Sequence, residues 1–185
     1  MITPEGVIVI DALGSPALAQ ALVKEIQRIT PLPITHTLTV GGVVFELVHL
    51  GPAHTAEDMV VYLLLQQVVF AGDVMFRQRI PFIGQADSHH WQQALTQLSA
   101  LNVAWVVPGH GAASQDFKQD LQLTLNYLQF VRTSMLRAVE EGLSFEEAYE
   151  AADWSQFKHL PLFGAANRMN AFNIFLQLEQ EVLKR

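Results

Sequence analysis

The sequence predicts an α/β fold in which a layered sheet is followed by a set of helices. Up to about residue 113, short β-branched runs alternate with turn residues, whereas beyond this point apolar residues recur at helical spacing. The runs at residues 6–11 and 103–107 are apolar throughout except for Asp11 at the end of the first, which is typical of strands covered on both faces. We expect residues 1–113 to form a sheet-containing part. The helices of residues 114–185 should pack on the same domain, because too few residues remain for a second core.

The first elements follow from turn residues and helix caps. After the strand at 6–11, Ser15 and Pro16 are suited to the N-cap and first turn of a helix that ends at Pro31 and Pro33. Its predicted buried stripe consists of Leu18, Leu22, Ile26 and Ile29. Residues 35–40 then alternate like an exposed antiparallel strand, and a Gly-Gly turn leads to its partner at residues 43–50.

The remaining elements alternate between strands and helices. Residues 59–65 and 68–70 predict a strand pair that is closed by Gln66 and Gln67. A helix at 88–100 should bury Trp91, Leu95 and Leu98, and Trp105 is expected in the core. The helical region predicts a long helix capped by Ser114 and ended by Gly142, a short helix with a capping box at Ser144 and Glu147, and a helix at 167–183. The predicted apolar stripe of this last helix is Met169, Phe172, Leu176 and Leu183.

Composition excludes several classes of function. The 185 residues carry 18 acidic and 11 basic side chains, and the formal charge of −7 disfavours nucleic acid or an anionic membrane as a partner. The absence of cysteine excludes disulfides and thiolate metal sites. No apolar run is long enough to cross a bilayer and no signal peptide is recognised, so we expect a cytoplasmic protein.

Three short motifs place a potential metal ligand directly after a predicted strand. These are Gly-Pro-Ala-His at His54, Ala-Gly-Asp at Asp73 and Pro-Gly-His-Gly at His110. Loops at the carboxyl ends of strands in α/β folds gather at one edge of the sheet, and the small residues around each motif allow close approach of the backbone. Two imidazoles and a carboxylate are suitable ligands for zinc, manganese or iron.

Each residue also has a simpler interpretation. His110 suits a turn, Asp73 suits a turn cap, and His54 can begin a turn in which Thr55 and Asp58 cap a short helical stretch. The other histidines are predicted elsewhere: His49 in a strand, His89 and His90 on a helix surface beside the better N-cap Asp87, and His159 in the tail. His36 suits an exposed strand but also lies where it can fold toward the site. Arg77 and Arg79 suit either a solvated strand end or a substrate carboxylate.

The combination of motifs resembles the metallo-β-lactamase-fold hydrolases. Residues 5–113 are similar in their order of elements and motifs, and the tail segments 153–155, 160–163 and 166–172 are similar to the SoxH-like or quinoprotein-relay zinc metallohydrolases. The resemblance implies an αββα sandwich, here truncated, with a C-terminal helical extension. It also implies two metal ions, usually zinc, with His54 on the first, Asp73 bridging both as the catalytic carboxylate, and His110 on the second.

The chain departs from that family in one important respect. The family's His-x-His-x-Asp-His motif is absent, since no two of the histidines are separated by two positions. The resemblance thus implies that some of the family's metal ligands and N-terminal strands are missing. An alternative to the two-metal site is then a single, weakly bound ion at His54, Asp73 and His110. Exposed sheet edges would favour a homodimer.

Two hypotheses of function follow. The first is a metal-dependent hydrolase of a small molecule with an ester, thioester, lactone or β-lactam bond, working with a reduced metal site. The second is a catalytically inactive remnant of the fold that serves as a binding or oligomerisation module. The retained ligands favour the first hypothesis, and the missing motif favours the second.

Overall fold

A computed structural model gives the fold of the chain. It describes residues 2–3, 6–7, 21, 24–25, 28–29, 39–40, 42–56 and 58–184. The strands are β1 Ile2–Thr3, β2 Gly6–Val7, β3 Thr39–Val40, β4 Val43–Val44, β5 Glu46–Gly51, β6 Asp58–Leu63, β7 Val68–Phe76 and β8 Trp105–His110. The helices are α1 Ser88–Ser99, α2 Phe117–Glu140, α3 Phe145–Ala151 and α4 Phe163–Leu183, with a short 3₁₀ helix at Trp154–Gln156.

The main sheet has four strands in the order β5-β6-β7-β8. The first three strands are antiparallel neighbours, and β8 adds to β7 in parallel after α1 has crossed between them. Two separate two-stranded ladders, β1-β2 and β3-β4, precede this sheet. The predicted α/β class is confirmed, because the sheet and the helices share one hydrophobic core.

Side-chain alternation along the strands determines which face of the sheet is buried. Val60 on β6, Val69 on β7 and Val106 on β8 are fully buried against the helices. Their neighbours point to the opposite face, because successive residues of a strand alternate. One of these is Trp105, which we expected in the core and which is 44% exposed, so that prediction was wrong.

The turn between β6 and β7 is longer than predicted. It takes up residues 64–67, and Gln67 has a positive φ of 53°. Leu65, expected within the strand, is 78% exposed in the turn. Strand β7 extends to Phe76, which is longer than predicted. Asp73 therefore lies within the strand, whereas it was expected to follow it. The Asp73 motif is therefore part of the strand, at a point where Gly72 has a positive φ of 52° and the pairing with β8 shifts in register.

Helix α1 matches its prediction closely. It runs from Ser88 to Ser99, and its N-cap is Asp87. Its inward residues are Trp91, Leu95 and Leu98, all essentially buried. This helix joins β7 to β8 and packs on β5 and β7.

The long helix α2 begins later than predicted. Ser114 is not its N-cap, since its backbone pairs with Val106 in a β-bridge and its hydroxyl accepts a hydrogen bond from the backbone N–H of Asp116. The helix starts at Phe117, with Asp116 in the capping position, and ends before Gly142, whose φ is 73°. The capping box of Ser144 and Glu147 on α3 is confirmed.

Helix α4 buries a different face from the one predicted. The expected stripe is exposed at its four positions, Met169, Phe172, Leu176 and Leu183. The buried residues are Asn167, Asn170, Ala171, Ile174, Phe175 and Leu178. Two buried asparagines lie on the inward face because partners for their amides are available there, which periodicity of apolar residues does not detect.

Several N-terminal predictions lie outside the described residues. These are the strand beyond Val7, the caps Ser15 and Pro16, the inward residues Leu18, Leu22 and Ile26, the helix-ending Pro31 and Pro33, and His36. Residues 21, 24–25 and 28–29 have helical backbone, as predicted. Ile29 was predicted to be buried but is 70% exposed. It lies four positions after Glu25, on the same side of the helix, and Glu25 is also exposed. Among the described residues, no helix has the length and hydropathy needed to cross a membrane.

Candidate metal centre

The His54 side chain is presented by a tight turn between β5 and β6. Ala53 before it is fully buried, and its carbonyl accepts a hydrogen bond from the backbone N–H of Asp87 at 2.9 Å. After it, the backbone N–H and hydroxyl of Thr55 donate to the Asp58 carboxylate at 2.8 and 2.7 Å. Asp58 begins strand β6, so the short helical stretch considered for this motif does not form. The turn is fixed at both ends, which fixes the imidazole between them.

Asp73 and His110 approach each other because β7 and β8 are parallel neighbours. Gly109 makes this approach possible: a Cβ at this position would lie 2.0 Å from Asp73 Oδ1 and 2.6 Å from the backbone carbon of Gly72. Only a residue without a side chain fits, so the glycine of the Pro-Gly-His motif has a direct steric role.

The Asp73 carboxylate lies between the two imidazoles. His54 Nε2 is 3.6 Å from Asp73 Oδ2, and His110 Nε2 is 3.5 Å from Asp73 Oδ1. Both distances exceed an ordinary hydrogen bond. They approach the ~3.4 Å that separates a nitrogen and an oxygen on one tetrahedral zinc ion with metal–ligand bonds of about 2.1 Å. The two pairs therefore have a spacing that suits metal ligands.

The described residues supply only part of a coordination shell. Within them, no group of three or more His, Asp or Glu side chains is arranged around a point that could hold one ion. Each carboxylate oxygen lies near one imidazole, so Asp73 with His54 and Asp73 with His110 are the pairs that would hold metal. A catalytic zinc needs about three protein ligands, so each pair needs at least one further donor.

Two aromatic side chains form the floor of the site. Phe76 stacks on the His110 ring with centroids 5.2 Å apart and meets the His54 ring edge-on at 5.9 Å. Trp91 contacts the His54 ring edge-on at 5.3 Å, and its Nε1 donates to the carbonyl of Val74 at 2.9 Å. Both aromatic residues are buried, and they exclude water from the inner side of the two imidazoles.

The outer side of the site is open. The side chains of Asp73 and His110 are 37% and 47% exposed, whereas that of His54 is 16% exposed. The Nδ1 atom of His54 is buried without a hydrogen-bond partner among the described residues. A ligand can therefore approach the carboxylate and His110 from solvent, while His54 forms the deeper part of the site.

The structure separates the two arginines that follow β7. Arg77 is paired, since its Nε donates to the Asp120 carboxylate at 2.9 Å on α2. Arg79 has its guanidinium 5.7 Å from the centre of the Phe76 ring, and its buried Nε has no hydrogen-bond partner among the described residues. Of the two, Arg79 is the one without a carboxylate partner among the described residues.

The other described histidines lie away from this site. His89 and His90 are exposed on the first turn of α1, where both backbone N–H groups donate to Asp87, and His90 Nδ1 lies 2.7 Å from the Asp87 carboxylate. His49 on β5 and His159 before α4 are also exposed. The surface positions expected for His89 and His90 are confirmed, and His49 lies in a strand as expected.

The comparison with protein families matches the part of the chain that carries these residues. Residues 29–110 match the model of the metallo-beta-lactamase superfamily, a range that includes all three predicted metal ligands and ends at His110. No curated protein matches the chain at a significant level.

Solved structures extend the likeness to most of the chain. A metallo-beta-lactamase from Pontibacter korlensis is 22% identical with a TM-score of 0.58, and the match covers 69% of this chain and 84% of that one. The chain has the metallo-β-lactamase fold. A metallo-beta-lactamase family protein from Thermus thermophilus is 19% identical with a TM-score of 0.56, covering 82% of this chain and 50% of that one.

Other activities occur on the same fold. The inverting sec-alkylsulfatase Pisa1 from a Pseudomonas species is 16% identical with a TM-score of 0.57, and the match covers 78% of this chain and 26% of that one. Together, the family match over residues 29–110 and these structures show what the chain is similar to, and the structures show its fold. They do not distinguish between substrates, because one fold supports many reactions.

The residues that support the ligands were not predicted from the sequence. Phe76 was not singled out, and Trp91 was assigned only to the core. Asp120 was not distinguished from the other polar residues of the long helix. The one available signal was the spacing of Phe76, three residues beyond Asp73 and thus close to it in the chain. Its contact with His110 depends on the pairing of β7 with β8, which sequence alone does not give.

Proposed function

We propose that this protein is a metal-dependent hydrolase of the SoxH-like branch, acting on the ester, thioester, lactone or β-lactam bond of a small molecule. The observation that carries the proposal is the Asp73 carboxylate held between the imidazoles of His54 and His110, with one Nε2 facing each oxygen. If the three residues only capped turns, the imidazoles of His54 and His110 would not both need to lie beside the Asp73 carboxylate.

His54, Asp73 and His110 are the proposed metal ligands, with Asp73 as the bridging catalytic carboxylate. Zinc is the preferred ion for two imidazoles and a carboxylate, and manganese or iron also accept these ligands. Bound metal would supply a Lewis acid and a water molecule whose pKa is lowered toward about 7. The further donors come from water, from residues outside the described part of the chain such as His36, or from a second chain.

The remaining residues would orient ligands and substrate. Phe76 and Trp91 hold the two rings and keep the inner side dry, which strengthens electrostatic interactions at the site. The exposed faces of Asp73 and His110 leave room for the scissile group. Arg79, whose guanidinium lies 5.7 Å from the centre of the Phe76 ring, would be the candidate for binding an anionic group of the substrate.

Hydrolysis by the purified chain tests this proposal. A panel of ester, thioester, lactone and β-lactam substrates is assayed with added Zn²⁺ or Mn²⁺ and again after chelation. We expect turnover that needs metal and falls by on the order of 100-fold or more in Asp73→Ala, since even supporting residues change metal function 10–100-fold. Asp116→Ala is the matched control, because this exposed carboxylate caps no backbone N–H.

The alternative is a catalytically inactive remnant that serves as a binding or oligomerisation module. The absence of a three-residue metal cluster within the described ranges favours it. No turnover of any substrate with any metal, in a protein that is folded, would support this alternative over the hydrolase.

We also propose that the chain forms a homodimer. Leu47, Met59 and Trp105 lie on the outer face of the main sheet and are each 44–53% exposed, and exposed apolar surface of this kind favours association. Light scattering tests this: a dimer has about twice the 20.6 kDa mass of one chain, and a monomer at all concentrations would contradict the proposal.

A further inference from the structure

Two buried polar residues on α2 contact the end of β7 just beyond the metal site. Asp120 and Thr124 are 6% and 0% exposed and lie four positions apart, which places them on one face of the helix. The Thr124 hydroxyl accepts a hydrogen bond from the Phe76 N–H at 3.3 Å and lies 3.2 Å from the Phe76 carbonyl. The Asp120 carboxylate accepts from Arg77 Nε at 2.9 Å.

The two residues so fixed, Phe76 and Arg77, both hold His110. The Arg77 N–H donates to the His110 carbonyl at 3.0 Å, and the Phe76 ring stacks on the His110 imidazole at an interplanar angle of 18°. Gly111 packs directly on Arg77, where a Cβ would lie 2.8 Å from Arg77 Cβ. The backbone and the ring of His110 are therefore both constrained by residues that α2 constrains in turn.

His54 has a different support. Its turn is held by Asp87 and its ring by Trp91, both at the α1 end of the site. It meets Phe76 only edge-on at 5.9 Å. A change at Asp120 or Thr124 should therefore reach His110 far more strongly than His54.

We propose that Asp120 and Thr124 are positioning residues for His110, which orient its imidazole toward Asp73 through Arg77 and Phe76. Asp120 has a second effect. Its negative charge neutralises the Arg77 guanidinium, which lies close to the proposed metal site. Without it, the unpaired Arg77 would repel the metal ion. The inference rests on the proposed metal-binding function, but the positioning itself exists in the metal-free protein.

The first test is NMR of the histidine rings in the metal-free protein labelled with ¹³C and ¹⁵N histidine. In Thr124→Val and Asp120→Asn we expect the His110 ring signals to shift or broaden, while those of His54 stay at their wild-type positions. Thr124→Ser keeps the hydroxyl and should restore the wild-type spectrum. Gln122→Ala, exposed on the same helix, is the control. Unchanged His110 signals, or equal changes at His54, would overturn the proposal.

The second test is a Zn²⁺ titration against a competing chelator. Replacing supporting residues of a metal site weakens affinity about 10–100-fold, and we expect this for Asp120→Asn and Thr124→Val. Added to His110→Ala, Thr124→Val should not weaken binding further, whereas a merely structural role would lower affinity in both backgrounds. If wild type binds no Zn²⁺, the proposed function fails, and the ring signals alone then decide whether α2 positions His110.

Discussion

At the scale of single residues, the site depends on close approaches that only particular side chains allow. Asp73 is reached by His54 and His110 from opposite sides, with Nε2–Oδ distances of 3.6 and 3.5 Å. The chain from β8 can lie against the carboxylate because position 109 has no Cβ. Ligand geometry is therefore determined as much by a glycine as by the ligands themselves.

The change Gly109→Ala tests this. The new methyl group would meet Asp73 Oδ1 and the Gly72 backbone, and such overpacking costs about 1–3 kcal/mol. We expect that loss in the free energy of unfolding, measured with denaturant, together with weaker Zn²⁺ binding. Gly164→Ala is the control, since a Cβ there meets no atom within 4 Å. Equal stability and metal affinity in Gly109→Ala would show that the strands do not approach as described.

At the scale of elements, α1 connects the two halves of the site. Its N-cap Asp87 accepts hydrogen bonds from the N–H groups of His89 and His90, while its own N–H holds the turn of His54. Burial raises the pKa of the Asp87 carboxyl, but the hydrogen bonds with His90 and His89 outweigh it, and the pKa lies below its usual range. The charged form is therefore the one that stabilises the helix.

Removing this cap should lower stability in a way that depends on pH. Asp87→Ala should cost about 0.5–2 kcal/mol at neutral pH, as measured for other N-caps. Because the folded-state pKa is depressed, this stabilisation is present above the unfolded-state value of about 3.9 and is lost as pH falls through the folded-state value. Urea denaturation at several pH values measures it, with Asp116→Ala as the control that lacks a cap hydrogen bond. A difference that stays constant down to about pH 2, below the usual range of an aspartate, would contradict the assignment.

The elements also show what sequence could and could not predict. His54, Asp73 and His110 were identified because each follows or lies in an apolar strand beside small residues, a pattern local to the chain. The supports of His110, such as Asp120, come from residues distant in sequence, and no local pattern marks them. The end of β7 was placed too early because Gly72 resembled the end of a strand.

At the scale of the whole molecule, a buried polar network attaches α4 to the rest of the fold. The amide of Asn170 accepts from the Ile83 N–H at 2.9 Å and donates to the Pro81 carbonyl at 2.7 Å and to the Tyr127 hydroxyl at 3.0 Å. Burial raises the pKa of Tyr127 well above its usual range, so its hydroxyl stays protonated and donates to Asn167. This network explains why α4 turns asparagines inward, which a search for apolar periodicity could not anticipate.

Loss of one amide should therefore be costly. Asn170→Ala leaves Ile83 N–H and the Pro81 carbonyl without their partner, at about 1–3 kcal/mol for each buried group. Met169→Ala, at a neighbouring position that is 54% exposed, should change stability little. Thermal and denaturant unfolding measure both variants. If the two substitutions cost the same, the inward face of α4 has been assigned incorrectly.

Elemental analysis of the purified protein measures whether His54, Asp73 and His110 bind metal. The measurement is made before and after chelation and reloading, on wild type, on His54→Ala/His110→Ala, and on His89→Ala/His90→Ala, which removes two exposed histidines outside the site. We predict about one or two zinc, manganese or iron ions per chain in wild type and in the His89/His90 variant, and none in the His54/His110 variant. Metal at background level in wild type, or metal retained without His54 and His110, would show that these residues do not form the metal site.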